Sequence, residues 1–232
     1  MKLQYLGDSR DSFKWDYHDY LTSSLQYPFF NVALMMTPND NTRDGSTKPH
    51  IYQARPKIIE FCNDLKKSKD IKLIMQLPSR TNADYQVILH KNSTQITKIN
   101  RSEYFSSIAR KTKQVFFLDP DNGFQPEKKY SAKHVLYSDI ESILQQISEQ
   151  SVISVFQYFR RISFDTDFAQ IKQQLISGHA TAIWGHSLMF VAISKSEEII
   201  DKVRSVNQAY SQARPGLHVP DKIYRPNLKA WR

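Results

Sequence analysis

The sequence predicts an α/β fold of three layers, in which helices cover both faces of a mostly parallel sheet with a C-terminal antiparallel hairpin. Three predominantly apolar runs predict the parallel strands, namely FFNVALMM at 29–36, QVFFL at 114–118 and SVISVFQ at 151–157. Strands of this kind are typical of sheets that are buried on both faces. Helical patterns separate these runs, which favours crossover connections between parallel strands. Residues 181–184 and 188–194 are apolar and only three residues apart, which predicts the hairpin.

The first helix is predicted over residues 9–24, where apolar side chains recur at helical spacing. They are Phe13, Tyr17, Tyr20 and Leu21. Three polar side chains, Asp11, Lys14 and His18, share a different face of the same helix. A second helix is expected to begin at Pro56, since proline suits the first position of a helix. This part of the chain therefore alternates helix, strand and helix.

The segment from 70 to 100 alternates short apolar runs with polar breaks and is a possible insert of strands. Its runs are IKLIM, YQVILH and TQITKI. Further along, Ser102 is expected to cap a short helix over 102–111. Ser138 and Glu141 have the spacing of a capping box. Asp165 and Ser196 are expected to cap the last two helices.

The predicted organisation is a single α/β domain over residues 1–213, followed by a basic, proline-containing tail over 214–232. The tail holds three of the ten prolines, and residues 127–214 contain none. A stretch without proline is expected to be dense in regular structure.

Composition excludes several functional classes. The six glycines never form a G-x-G pair, so a dinucleotide-binding loop and a phosphate-binding P-loop are not expected. Cys62 is the only cysteine, which excludes a disulfide framework and a cysteine zinc site. No apolar run reaches the roughly 18 residues of a membrane span, and the N-terminus shows no secretory signal. We expect a cytoplasmic protein without a membrane partner.

The chain is basic, with 32 Lys and Arg against 23 Asp and Glu and a formal net charge of +9. A nucleic acid, either RNA or DNA, is one partner that such a charge predicts. The other interpretation is a charged surface that keeps the protein in solution. The sequence leaves both open, and it does not predict an oligomeric state.

One turn combines residues that can perform chemistry. Asp119, Pro120, Asp121, Asn122 and Gly123 follow directly on the predicted strand QVFFL. In open α/β sheets, ligands bind beyond the carboxyl ends of the strands. The turn is therefore a candidate site, although the same residue types also form purely structural turns.

The segment LDPDNG resembles the D-P-P-[YF] motif of amino-methyltransferases. A second segment, GDSRDSFK at residues 7–14, resembles the G-N-x-x-D-x-x-K segment of the bacterial 23S rRNA adenine-N6 methyltransferase family, with Gly7, Asp11 and Lys14 at the same spacing. The chain also resembles bacterial proteins that carry a DPDNG turn. Together the two motifs cover about a tenth of the chain. The resemblance implies the Rossmann-like fold of class I methyltransferases and adenine-N6 methylation of nucleic acid.

The resemblance also implies roles for residues. Asp119 would accept a hydrogen bond from the target amine, the backbone after Pro120 would hold that amine, and Asn122 would add a hydrogen bond. Asp121 and Asn122 replace the second proline and the aromatic residue of the motif. Asp11 and Lys14 would shape the entrance, and Lys14 would meet phosphate.

The cofactor that the resemblance implies is S-adenosylmethionine. No glycine follows the strand at 29–36 to let the backbone approach such a ligand. The same residues therefore fit a diverged descendant with altered chemistry as well as they fit a working methyltransferase.

The strand after QVFFL is expected to lie beside it in the sheet. Its end carries Gln157, Arg160 and Arg161. We expect these three residues beside Asp119 and Asp121, where arginines either bind phosphate or pair with the acids.

Two other functions remain open. A metal-dependent nuclease would use Asp121, Glu127 and Lys129, because two acids and a lysine can bind Mg²⁺ and activate water. This function requires Glu127 and Lys129 to point at the same site as Asp121. The second alternative is a non-enzymatic module that binds nucleic acid or joins a complex, which needs basic surface but no acidic turn in a pocket.

Overall fold

A computed structural model shows a six-stranded mixed sheet between two layers of helices, and it describes residues 1–40, 42, 45–93, 95–108 and 111–226. The strands are β1 (Phe29–Leu34), β2 (Gln86–Leu89), β3 (Gln114–Asp119), β4 (Val152–Tyr158), β5 (His179–Gly185) and β6 (Leu188–Ser194). Their spatial order is β2-β1-β3-β4-β6-β5. The first four strands are parallel, and β6 runs antiparallel between β4 and β5. The predicted fold class is therefore confirmed.

The described residues form seven α-helices around the sheet. They are α1 (Ser9–Ser24), α2 (Pro56–Ser68), α3 (Leu77–Thr81), α4 (Arg101–Ser106), α5 (Tyr137–Gln146), α6 (Phe164–Gln174) and α7 (Glu197–Gln212). Helices α1, α2, α3 and α7 contribute to the core on one face, and α4, α5 and α6 to the core on the other. Within the described ranges, no helix combines the length and the apolar character needed to cross a bilayer.

The apolar strands divide their side chains between these two cores. On β3, Phe117 packs into the core beneath α1, whereas Phe116 and Leu118 pack beneath α4 and α5. Successive side chains of a strand point to opposite faces. Between its polar ends Gln114 and Asp119, β3 is thus apolar on both faces, as the continuous run had predicted.

Helix α1 is buried on its polar face as well as on its apolar face. Twelve of its 16 residues are buried. Asp8 caps its N-terminus by accepting hydrogen bonds from the backbone N–H groups of Arg10 and Asp11. The His18 Nδ1 atom donates a hydrogen bond to the Lys14 carbonyl (2.7 Å), and the Nε2 atom of the neutral ring accepts one from the Ser154 hydroxyl (2.8 Å). The polar face of this helix therefore lies against the sheet.

We expect His18 to make the fold sensitive to acid. Burial lowers the pKa of His18 to about 3, whereas an unfolded histidine titrates near 6.5. Between these values the unfolded chain binds a proton that the folded chain does not, so His18 removes stability as the pH falls. The His18→Gln variant should lose less stability than the wild type over pH 6.5 to 3, by up to about 1.4 kcal/mol per pH unit. Urea unfolding at several pH values measures the difference, and parallel pH curves for the two proteins would contradict it.

The structure corrects the strand pattern predicted over residues 70–100. IKLIM forms a 3₁₀ helix (Ile71–Gln76) followed by α3, and among the described residues only Gln86–Leu89 becomes a strand, at the edge of the main sheet. Ile71, Ile74 and Leu77 are three residues apart, so a 3₁₀ turn brings them to one side. Of these, Ile74 and Leu77 are fully buried.

Three predicted helix caps are also different. Helix α4 begins at Arg101, so Ser102 lies inside it rather than capping it, and residues 109–110 of the predicted helix lie outside the described residues. Asp139, not the pair of Ser138 and Glu141, closes the start of α5 by accepting from the Leu136 N–H at 2.7 Å. Ser163 replaces Asp165 as the cap of α6, whereas the predicted Ser196 cap of α7 is confirmed.

The tail is more regular than predicted where it is described. His218 exchanges backbone hydrogen bonds with Trp184 on β5, and Tyr224 does so with Ala180. β5 is the last strand of the sheet, so these contacts cover its open edge. Residues 227–232 of the predicted tail lie outside the described residues.

Candidate functional site

A cavity of about 310 Å³ lies at the carboxyl edge of the sheet, beyond the ends of β3 and β4. The start of α1 forms another side of it. Fifteen residues line the cavity: Met1, Lys2, Tyr5, Asp8, Arg10, Lys14, Asp119, Pro120, Asp121, Asn122, Lys133, Phe156, Tyr158, Phe159 and Arg160. Its volume lies at the lower end of the range for small-ligand sites, which is roughly 300–1,000 Å³. The four residues of the predicted turn, Asp119 to Asn122, are all among them.

The turn is held in place by Gln157 from the neighbouring strand β4. The Gln157 Oε1 atom accepts a hydrogen bond from the Phe124 N–H at 2.8 Å, and its Nε2 atom donates to Asp167 at 2.9 Å. Gly123 has a φ of +81°, and a Cβ atom there would come within 3.0 Å of the Gln157 side chain. Gln157 is fully buried and does not line the cavity, so the prediction that it binds substrate is replaced by a supporting position.

Lys14 forms the floor of the cavity and joins the two predicted motifs. Its Nζ atom donates to Asp119 Oδ2 at 3.0 Å and lies 3.3 Å from Asp11 Oδ1. Burial acts to lower the pKa of Lys14, but the carboxylates of Asp119 and Asp11 outweigh it and the pKa lies above the ordinary lysine value. Burial raises the pKa of Asp11, and the neighbouring Lys14 opposes that shift.

These contacts change the roles expected for the two acids. Asp11 is fully buried behind Lys14 and does not line the cavity, so it does not shape the entrance. Asp119 is also fully buried, and both of its carboxylate oxygens face Lys14 at 2.9 and 3.0 Å. The Asp119 side chain therefore compensates a buried cation.

Asp121 belongs to a second ionic cluster at the rim. Its Oδ2 atom accepts a hydrogen bond from the Thr37 hydroxyl at 3.2 Å and lies 3.6 Å from Lys133 and 3.9 Å from Lys2. Lys2 also pairs with Asp40. Asp121 is thus surrounded by cations rather than free to act as a base.

An aromatic wall faces these acids. Phe156, Tyr158 and Phe159 from the end of β4 line the cavity, and Phe159 is 42% exposed. The Lys14 Nζ atom lies 4.5 Å from the centre of the Phe156 ring. Arg10 lies on the Tyr158 ring at 4.8 Å and donates a hydrogen bond to the Tyr158 hydroxyl. The end of β4 therefore supplies both ring surface and a means of holding Arg10.

The two adjacent arginines after β4 have different positions. Arg160 lines the cavity, and its Nε and Nη2 atoms are buried, with Nη2 lying 3.6 Å from Asp167. Arg161 has a φ of +65°, is exposed and does not line the cavity. Of the two predicted substrate-binding arginines, the structure brings only Arg160 to the site.

The structure does not assemble the geometry that a metal-dependent nuclease requires. Glu127 and Lys129 are exposed and do not line the cavity with Asp121. Among the described residues no group of three or more acidic, histidine or cysteine side chains has a metal-binding arrangement.

The residues at the end of β1 do not fit S-adenosylmethionine. The order of the sheet reverses between β1 and β3, and the crevice at such a switch point is where α/β folds bind ligands. Here Met1 fills that crevice. Its amino group donates to the Met35 carbonyl at 2.6 Å and lies 3.4 Å from the Asp119 carbonyl, and its own carbonyl accepts from the Thr37 N–H at 2.8 Å. The backbone that would approach a cofactor is already hydrogen-bonded.

Several lining residues were not expected from the sequence. Met1, Lys2 and Tyr5 reach the site only because the chain before α1 crosses the ends of β1 and β3. Phe156 and Tyr158 alternate with Gln157 on β4, so the identification of Gln157 as a wall residue selected the wrong face of the strand. Successive side chains of a strand point to opposite faces, so this alternation was the signal that could have placed Phe156 and Tyr158 in the cavity.

Comparison of the chain with known protein families, with curated proteins and with solved structures finds no match.

Proposed function

We propose that the protein is a methyltransferase-like protein that binds nucleic acid, a diverged descendant of adenine-N6 methyltransferases, and that its cavity takes one nucleotide of a single strand. The observation that carries this proposal is the meeting of an exposed aromatic ring, two arginines and an Asp-Pro-Asp-Asn turn at the carboxyl edge of the sheet.

The aromatic wall supports a nucleobase as ligand. Phe159 lines the cavity and is 42% exposed. Exposure of an apolar ring to water is unfavourable, so a ligand that covers the ring is favoured. Stacking of a base on an aromatic ring contributes about 1–3 kcal/mol and tolerates any base sequence. Phe159 and the Asp119 turn line the same cavity, so a base stacked on this ring would lie in the cavity with the turn.

The cations support a phosphate beside that base. In the part of the chain that is described, no carboxylate lies within 4.0 Å of the Arg10 guanidinium. Arg160 lines the same cavity, with its Nη2 atom 3.6 Å from Asp167. Guanidinium groups are suited to phosphate because their N–H donors match its oxygens in pairs.

The turn supports recognition of the base edge through Asn122, which was expected to add a hydrogen bond, rather than through Asp119. The Asp119 carboxylate is hydrogen-bonded to Lys14, so the Asp119 side chain anchors the turn and does not contact the base. The Asn122 side chain is exposed at the rim and offers both a donor and an acceptor. We therefore assign contact with the base edge to Asn122 and assign no methyl-transfer step, since Met1 fills the crevice that the methyl donor would need.

We expect the Arg160→Glu variant to bind a single-stranded RNA oligonucleotide at least tenfold more weakly than the wild type, because one phosphate contact becomes a repulsion. Loss of one contact should also reduce the slope of log affinity against log salt by about 0.7 for a single strand. Fluorescence anisotropy over 50–200 mM salt measures both quantities, with a DNA oligonucleotide of the same sequence in parallel.

The adjacent Arg161 provides the control, because Arg161→Glu changes the net charge equally outside the cavity. It should leave the affinity within about twofold and the slope unchanged. If the two reversals weaken binding equally, the protein interacts through its overall charge and not through this cavity. If the wild type does not bind at low salt, the +9 charge reflects solubility.

A further inference from the structure

The N-terminal segment, residues 1–6, is part of the site rather than a loose end. Met1 and Lys2 are 2% and 6% exposed, and Met1, Lys2 and Tyr5 line the cavity. Leu6 is fully buried. A segment with so little exposed surface at its start has been packed as core.

The loop after β1 holds this segment from one side. Lys2 pairs with Asp40, the Gln4 Nε2 atom donates to Asp40 at 3.0 Å, and the Asp40 N–H donates to Gln4 Oε1 at 2.9 Å. Gly45 has a φ of +87°, and a Cβ atom there would come within 3.0 Å of the Gln4 backbone. The loop backbone therefore lies directly on the segment.

Helix α2 holds the segment from the other side. The Lys69 Nζ atom, just after the helix, donates to the Gln4 carbonyl at 3.1 Å and to the Leu6 carbonyl at 2.8 Å. Gly7, which follows the segment, packs against the backbone of Cys62 and Lys66. The segment is thus fixed from both sides, by contacts to its backbone and by the side chains of Lys2 and Gln4.

We infer that residues 1–6 occupy the switch-point crevice permanently, so that the neighbouring cavity takes a single ligand and no nucleoside cofactor. That the ligand is a nucleotide rests on the proposed function. The exclusion of a cofactor does not depend on it. The segment lies where a cofactor would otherwise form one side of the cavity, and it contacts the nucleotide there. Lys2 and Tyr5 supply to this wall a cation and a ring.

Hydrogen exchange on the full chain tests the inference through the Thr37 amide, which donates to the Met1 carbonyl. We expect this amide to exchange within tenfold of the rate of the amides of β3, because the segment leaves only when the sheet unfolds. S-adenosylmethionine, S-adenosylhomocysteine and adenosine should give no saturable heat in calorimetry. Faster exchange at Thr37, or 1:1 binding of any of the three, would overturn the inference.

The Lys2→Glu variant sharpens the test. It places a third negative charge beside Asp40 and Asp121, which should expel the segment and accelerate Thr37 exchange at least tenfold relative to β3. The matched control is Lys72→Glu, an exposed lysine of the 3₁₀ helix, which should change neither. RNA binding is recorded separately: its absence with a protected Thr37 amide contradicts the proposed function and leaves the inference intact.

Discussion

Replacement of Asp119 by asparagine should lower the free energy of unfolding by about 3–5 kcal/mol, because it leaves the buried ammonium of Lys14 with half of its compensation. Lys14 and Asp119 have side chains that are 6% and 1% exposed, and they lie 2.9 Å apart. Both side chains line the cavity but are almost fully buried, so water compensates the ammonium poorly when the carboxylate is missing. Urea unfolding at neutral pH measures the loss.

Two further variants separate the charge from the shape of the site. Asp119→Asn combined with Lys14→Met should recover most of the loss, since a neutral pair of similar volume often replaces a buried ion pair without cost. Asn122→Ala changes an exposed residue of the same turn and should stay within about 0.5 kcal/mol of the wild type. If Asp119→Asn is as stable as the wild type but fails to bind RNA, its carboxylate meets the ligand and the assignment of that role to Asn122 is wrong.

Gly7→Ala should destabilise the protein by about 3–5 kcal/mol, the sum of a strained backbone and an overpacked contact. Gly7 has a φ of +77°, and a Cβ atom there would come within 3.0 Å of the Cys62 carbonyl oxygen and of the Lys66 backbone. Both clashing groups are backbone atoms of α2, which cannot rotate away. The Gly7 N–H also donates to Asp11 at 2.8 Å, so the change would disturb the acids behind Lys14. Thermal and urea unfolding report the effect.

Gly216 provides the matched control for this substitution. Its φ is +89°, but the nearest atom to an added Cβ would be 3.9 Å away on His186. Gly216→Ala should therefore cost only the backbone strain, about 1–2 kcal/mol. Equal losses for the two variants would show that the close approach of Gly7 to α2 contributes nothing.

The two motifs on which the resemblance rested lie together in the structure, but for a reason that the motifs did not state. Lys14 of the first motif neutralises Asp119 of the second across 105 positions of the chain. Spacing along the sequence placed each residue on its own element. It carried no information on the distance between α1 and β3, since that distance depends on how the helix packs over the sheet.

The amino-acid sequence alone determined the fold class and the three parallel strands that follow from its apolar runs. It also determined the hairpin and the position of the Asp119 turn at the end of a strand. Each follows from local rules: a strand that is buried on both faces is predominantly apolar, and a short loop favours an antiparallel return. Only the tertiary structure decided that Asp119 and Asp121 lie against lysines. It also decided that Gln157 supports the turn from behind and that Met1 fills the crevice between β1 and β3. These depend on contacts between residues far apart in sequence, and burial there converts a side chain that looks reactive into one that compensates a neighbouring charge.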